Sequence, residues 1–322
     1  MSILDYELTE ELASVTPEIR LFKAKDEEGD AYLVKQLLSS DADKLKKFLD
    51  DNDIQQRFNK NGLAAVTEIT ESQQSCHAIM PVSDNVKGLN EFLDETHLDV
   101  VQKLDFSIAI AQIVEEFHKD NLIVGEIAPQ NIYLLEDGSP FLVDLSYLKR
   151  TNSVSSPISQ NEVNLLSLKT IAPEATGRVN RVIETRADLY SLGVILYRIF
   201  FGSYPFESED PMELIYAHIA SEPPEPELKD VPKQLFKIVQ VLLQKSPEAR
   251  YRTVSGLIFD LNICLSPSSS IPATLNLYEF VYANTTLKEY LDPNPLYTAN
   301  VSNIGVVKDT LSSTNKINDL ST

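Results

Sequence analysis

The stretch Ala187–Phe200 constrains this chain more than any other. Leu189, Leu192, Val194, Ile195, Leu196, Ile199 and Phe200 make it apolar nearly all the way round. A helix without a polar face lies buried, in a membrane or at the centre of a large domain. At fourteen residues it falls short of the roughly 20 a bilayer requires. Other elements must therefore wrap around it. A chain of 322 residues, 43% of them hydrophobic, has the apolar material to do so.

Ahead of this axis the pattern divides. Ala31–Lys35 reads as a strand after the turn at Glu28–Asp30, and Asp43–Phe58 as a helix. Residues 64–69 and 77–82 read as two more strands across a polar turn at 71–75. Beyond residue 90, Phe106, Ile110, Ile113 and Phe117 recur at spacings that place them on one helix face. Residues 121–124, 132–135 and 141–143 are short extended pieces, and 231–244 and 255–265 later helices. From Ser266 the composition turns to Ser, Thr and Asn, which predicts a mostly disordered tail with one helical hint at 287–291. The expected regions are a strand-rich lobe at 1–82, a helical lobe at 83–265 and the tail at 266–322.

A formal net charge of -20 repels duplex phosphate and anionic lipid headgroups, so neither nucleic acid nor membrane is an expected partner. Cys76 and Cys264 form no framework, and the four histidines show no ligand spacing, so a metal held by protein side chains alone is not expected. The acidic N-terminus has no apolar core of a secretion signal. These features predict a soluble, cytoplasmic protein whose partners are other proteins.

Several motifs then follow in a fixed order. Lys35 ends Tyr-Leu-Val-Lys; Val124-Gly-Glu-Ile-Ala-Pro-Gln-Asn131 comes about 90 residues later, then Asp144-Leu-Ser146, Ala172-Pro-Glu174, Asp188-Leu-Tyr-Ser-Leu-Gly193 and Arg250. The order resembles the protein-kinase series of strand lysine, catalytic loop, metal-binding aspartate, A-P-E and late arginine. It implies an α+β, two-lobed protein-kinase-like fold with a small strand-rich N-lobe and a larger, mainly helical C-lobe. Ala172–Arg181, Arg186–Val194, Tyr204-Pro-Phe206 and His218-Ile-Ala220 narrow the resemblance to the kinase-like N-terminal region of fungal and bacterial hybrid histidine kinases.

The resemblance assigns roles. Lys35 matches the lysine that meets ATP phosphates and a helix carboxylate. That carboxylate falls near Asp51, with Asp50 and Asp53 equally available. Asn131 and Asp144 match the magnesium ligands, so the implied cofactor is Mg-ATP. Glu126 stands at the catalytic base position, where kinases carry aspartate, and Ala128 replaces the phosphate-steadying lysine; one such lost contact costs roughly 10²–10³ in rate. Val124 and Gly125 replace the loop histidine and arginine. The phosphate-covering loop, expected at 12–20, has no glycine and contains Pro17 and Glu18, which implies weak ATP affinity. Ser146 stands where the series has glycine. Ser156, before a proline, lies in a stretch that reads as a polar turn. Glu174, Asp188 and Arg250 match the structural anchors. Anchors kept and chemistry altered imply a pseudokinase or weak Mg-ATP binder with a docking role in phosphorelay or stress signalling, its docking surface near Phe200–Phe206 and Tyr216–His218. The alternatives are an atypical active serine/threonine kinase and a structural fragment of a larger hybrid histidine kinase.

Overall fold

The computed structural model describes residues 2–3, 5–12, 18–57, 62–71, 75–151, 165–226 and 231–265. The expected tail at 266–322, Pro17 and Ser156 lie outside them. The first lobe is a six-stranded antiparallel sheet and one helix. Its elements are β1 (Ser2–Ile3), β2 (Tyr6–Leu12), β3 (Ile19–Lys25), β4 (Ala31–Leu38), α1 (Ala42–Arg57), β5 (Glu68–Glu71) and β6 (Ser75–Pro81). The strand order is β1-β2-β3-β4-β6-β5.

Side chains alternate across a strand, so β4 sends Leu33, Lys35 and Leu37 to one face and Val34 to the other. Leu33 and Leu37 join Leu21, Ala78, Met80 and Phe48 in one cluster, and Val34 joins Phe22, Ala24 and Ile79 on the opposite face. Lys35 is thereby delivered to an apolar face, where an ammonium must find a partner.

The stretch 64–69, expected as a strand, pairs with the sheet as a strand only from Glu68. Thr67 N–H still donates to the Ile79 carbonyl of β6 at 2.9 Å, but Gly62 and Ala64 bond elsewhere. Ala64 N–H donates to the Leu142 carbonyl at 2.8 Å, and Leu142 N–H to the Gly62 carbonyl at 2.9 Å. These bonds tie the two lobes together.

The second lobe follows with β7 (Lys87–Gly88), α2 (Leu89–Glu95), α3 (Val100–Lys119), β8 (Leu122–Ile123), β9 (Ile132–Leu134), β10 (Pro140–Leu142) and β11 (Lys149–Arg150). Helices α4 (Leu165–Leu168), α5 (Arg186–Phe201), α6 (Pro211–Ala220), α7 (Lys233–Leu242) and α8 (Val254–Leu265) complete it. Asp99 and Gln102 cap the start of α3 reciprocally. Helix α5 is the axis its composition predicts, with every residue from Ala187 to Tyr197 buried. It packs against α3 and α7. Gly193 permits the second contact, because a Cβ there would lie 2.6 Å from Leu242 Cβ. The two-lobed α+β architecture is thus as expected. No helix among the described residues is long and apolar enough to cross a membrane.

The expected docking surface is only partly at the surface. Phe200, Tyr204, Phe206 and His218 are buried, while Tyr216 is 66% exposed. The Phe206 and His218 rings meet edge to face at 5.2 Å, a contact that burial of both favours.

One ion pair closes the second lobe. The Arg250 guanidinium holds both Glu174 oxygens, at 2.6 and 2.8 Å, and donates to the carbonyls of Gln244, Lys245 and Arg186. All its donors are used, with both side chains essentially unexposed. Arg250→Ala leaves the carboxylate buried and unmatched. Urea denaturation should show a loss of about 3–5 kcal/mol, with Arg250→Lys, which offers fewer donors, in between. A loss below about 1 kcal/mol would show that the pair does not anchor the lobe.

Candidate functional site

The candidate site lies where β4, α1 and the catalytic-loop segment after β8 converge. Lys35 Nζ donates to Asp144 Oδ1 at 3.0 Å and to Gln55 Oε1 at 2.8 Å. Both members of the ion pair are nearly unexposed. Burial works against the Asp144 charge, but Lys35 and the Ser146 backbone N–H at 2.9 Å outweigh it and hold the carboxyl below its ordinary range.

The helix partner of Lys35 is Gln55, not Asp51, which corrects the expectation. Gln55 Nε2 donates to the carbonyls of Ala64 (3.0 Å) and Val143 (3.2 Å). A carboxylate would turn an oxygen on those two carbonyls, so an amide suits the position and a glutamate does not. Asp51 sits one turn earlier with Lys47 3.9 Å away. Burial first, then Asp144, push it up to about 7 against the pull of Lys47 and Lys35. Asp50 and Asp53 are not hydrogen-bond partners of Lys35 either. Sequence reasoning sought a carboxylate and so passed over Gln55, which the helical spacing places on the Asp51 face.

Asn131 is brought to the site but is fully engaged. Its Nδ2 donates to the carbonyls of Glu126 (2.8 Å) and Asp144 (3.0 Å). Its Oδ1 accepts from the backbone N–H of Asp144 (2.8 Å) and Val143 (3.2 Å). The amide acts as a staple between two backbone segments, and no acceptor capacity remains for a cation.

Glu126 is buried. Burial first, then the charge of Asp144, push its carboxyl up to about 8, against a hydrogen bond with Ser167. Gln130, not noticed in the sequence, donates from Nε2 to Glu126 Oε1 (2.9 Å) and to Ser167 Oγ (3.1 Å). One Glu126 oxygen is therefore already held by a protein donor. Ala128 is wholly buried. Gly125 has φ +80°, and a Cβ there would lie 2.6 Å from the Tyr147 carbonyl. The backbone after Asp144 thus occupies the space in which an arginine side chain would begin. Asp188 fixes this loop from α5, accepting from the N–H of Val124 (2.8 Å) and Gly125 (2.9 Å) and lying 2.8 Å from His118 Nε2.

Apolar side chains of both lobes meet over the site. Leu33 and Leu21 from the sheet share one cluster with Tyr133, Phe141 and Val143 from the second lobe. Tyr133 is 3% exposed and packs on Phe141 at 6.3 Å. At the phosphate-covering loop, Glu18 pairs with Lys44. As arranged, Asn131 has both ends of its amide on backbone, whereas each Asp144 oxygen accepts from one protein donor and keeps a further lone pair.

Glu126 supplies a pH test. In the unfolded chain it titrates near 4.3, in the folded protein near 8. Between these values the folded state holds the extra proton, so stability falls as pH rises, by up to about 1.4 kcal/mol per unit. Glu126→Gln removes this dependence. Its stability relative to the parent should climb from pH 5 to 8 and level off above, read by denaturant unfolding at each pH. A flat difference would mean that Glu126 is ionised throughout.

Comparisons with known proteins agree with this geometry. The protein kinase domain family matches residues 20–257. The chain is 26% identical over 227 residues to the serine/threonine-protein kinase PknA of Mycobacterium tuberculosis, covering 69% of this chain and 51% of PknA. It is 27% identical to a probable serine/threonine-protein kinase of Clostridium acetobutylicum, over 49% of this chain and 24% of that protein. It is 45% identical to hybrid signal transduction histidine kinase G of Dictyostelium discoideum over 95 residues, which are 29% of this chain and 3% of that protein. The chain thus spans about half the length of PknA and less of the other two relatives. With the motif series, the two lobes and the anchored A-P-E segment in place, it belongs to the protein kinase domain family.

Proposed function

We propose that this domain is a kinase-fold signalling module that works by holding protein partners and transfers phosphate slowly or not at all. The observation that carries the reading is the engagement of Glu126, Asn131 and Asp144 by the protein's own donors. A catalytic base must present an ionised oxygen to its substrate, and Glu126 is protonated near neutrality and bridged by Gln130. The partial likeness to a Dictyostelium hybrid histidine kinase supports a place in phosphorelay signalling, and the lack of a membrane-spanning helix among the described residues is consistent with a cytoplasmic one.

A second reading has one observation in its favour. Lys35 and Asp144 remain paired, which keeps a cation at the place where phosphates would lie. It makes the domain a weak nucleotide binder or an atypical serine/threonine kinase.

Thermal unfolding with ATP, with and without magnesium, separates the two. Binding at about 100 times the dissociation constant adds roughly 2.7 kcal/mol, a shift of a few degrees. The expected result is no magnesium-dependent shift at millimolar ATP and no transfer of the γ-phosphate to protein. A shift of several degrees that disappears in Asp144→Asn, each variant referred to its own ligand-free midpoint, would replace the first reading with the second.

A further inference from the structure

Lysines on the surface of this protein meet carboxylates. Lys25, Lys87 and Lys119 lie 2.8, 2.6 and 2.6 Å from Asp84, Glu95 and Glu116. Lys245, part-buried on the turn after α7, makes no ion pair among the described residues. Its Nζ lies 4.6 Å from the centre of the Phe206 ring and 5.8 Å from that of Tyr190. It donates to the Ala217 carbonyl, in the last turn of α6, at 3.3 Å. Both rings are fixed in place. The Tyr190 hydroxyl is 3.0 Å from His218 Nδ1, and the His218 ring meets Phe206 edge to face. The Arg250 guanidinium lies 4.8 Å from the Tyr190 ring centre.

The amine thus sits between two ring faces, with a guanidinium on one of the same rings and no carboxylate of its own. A lysine that is desolvated, or set beside another cation, sheds its proton more readily and becomes a nucleophile. Burial first, with Arg250 adding to it, brings Lys245 down to about 8 against the pull of Glu222. His218, which burial brings down to about 3, adds no charge near neutrality.

We propose that Lys245, enclosed by Phe206 and Tyr190 without a carboxylate partner, is a site of Nε-acylation by an activated acyl group, carried as an acyl phosphate or an acyl thioester. The Nε lone pair attacks the acyl carbonyl and an N–C bond forms. The C–O bond to phosphate, or the C–S bond to the thiol, breaks; phosphate or thiolate leaves with the electron pair, and the amine proton passes to water. The product selects acylation over alkylation. An amide is uncharged and stays between the rings without the cost of a buried charge, whereas methylation keeps that charge. The amide retains one N–H for the Ala217 carbonyl and removes a cation from the C-terminal end of α6. The enclosure shares no residue with the candidate site, so its test stands apart from that of the proposed function.

The test treats the full chain with acetyl phosphate and, in parallel, with a small acetyl thioester, and follows each lysine by peptide mass spectrometry. Lys233 and Lys237, exposed on α7, are the internal reference. At about pH 7 an amine that titrates at about 8 is roughly one-tenth neutral, and an ordinary lysine less than about one-thousandth. Lys245 should therefore be acetylated about tenfold faster than either, with partial burial offsetting the rest of the advantage, and its lead should shrink toward about pH 10. A lead with only one of the two reagents assigns the donor. In denaturing urea the three lysines should react alike. Phe206→Ala opens the enclosure to water and should bring Lys245 down to the reference rate, with circular dichroism to check the fold. Lys245→Arg should remove the fast site. If Lys245 reacts no faster than Lys233 and Lys237 in the folded chain with both reagents, or keeps its lead in urea, the proposal is overturned.

Discussion

The structure depends on how it matches each charge it buries. An ion taken out of water without a partner costs far more than any single contact returns, so a buried charge dictates what surrounds it. Arg250 is met by Glu174 and three carbonyls, which fastens the A-P-E segment to the chain beyond α7. Asp188, on the wholly buried helix α5, collects two backbone N–H groups from the loop at 124–125 and the ring of His118. These contacts give the second lobe a fixed loop at a fixed distance from its axis. Lys35 and Asp144 perform the same service between the lobes.

The matching that holds the fold also closes the site. Each group that would act in phosphate transfer is satisfied by the protein. Asn131 spends its whole amide on backbone, and Gln55 spends its amide on Lys35 and two carbonyls. Glu126 alone has no cation, and the consequence is chemical: burial drives it to keep its proton. A neutral carboxyl bridged by Gln130 is cheap to bury and poor as a base. Stability and catalysis thus make opposite demands on one side chain, and the surroundings of Glu126 favour stability.

Much of this was legible in the sequence where one residue's type carries the information. A fourteen-residue run that is apolar nearly all the way round reads as a buried axis, and α5 is one. Glu174, Asp188 and Arg250 were readable because the motif order resembles the protein-kinase series, which implies that they are anchors. What was not legible depended on how elements meet in space. Ala64 opens a stretch of strand composition, but its place beside Leu142 draws its backbone N–H across to the other lobe, and strand pairing begins only at Glu68. Phe206 and His218 look like a surface motif and pack on each other instead. The exchange of Asp51 for Gln55 turned on two carbonyl oxygens, Ala64 and Val143, whose positions no local pattern reports.

Gly125 shows why the altered chemistry is not a set of independent losses. With φ at +80° and the Tyr147 carbonyl 2.6 Å from the place of a Cβ, the glycine and the path of the segment after Asp144 require each other. That path in turn sets where Ser146 donates to Asp144 and where Lys47 donates to the Ser146 carbonyl at 3.1 Å. An arginine at 125 would have to displace the segment, and with it the donor that keeps Asp144 ionised. A glutamate at 55 would face the two carbonyls that now accept from its amide. Each reversal therefore strains a contact that another residue of the site makes. The residues of the site are coupled because they share one buried volume, in which Lys35, Gln55, Asn131 and Asp144 hold one another and the backbone.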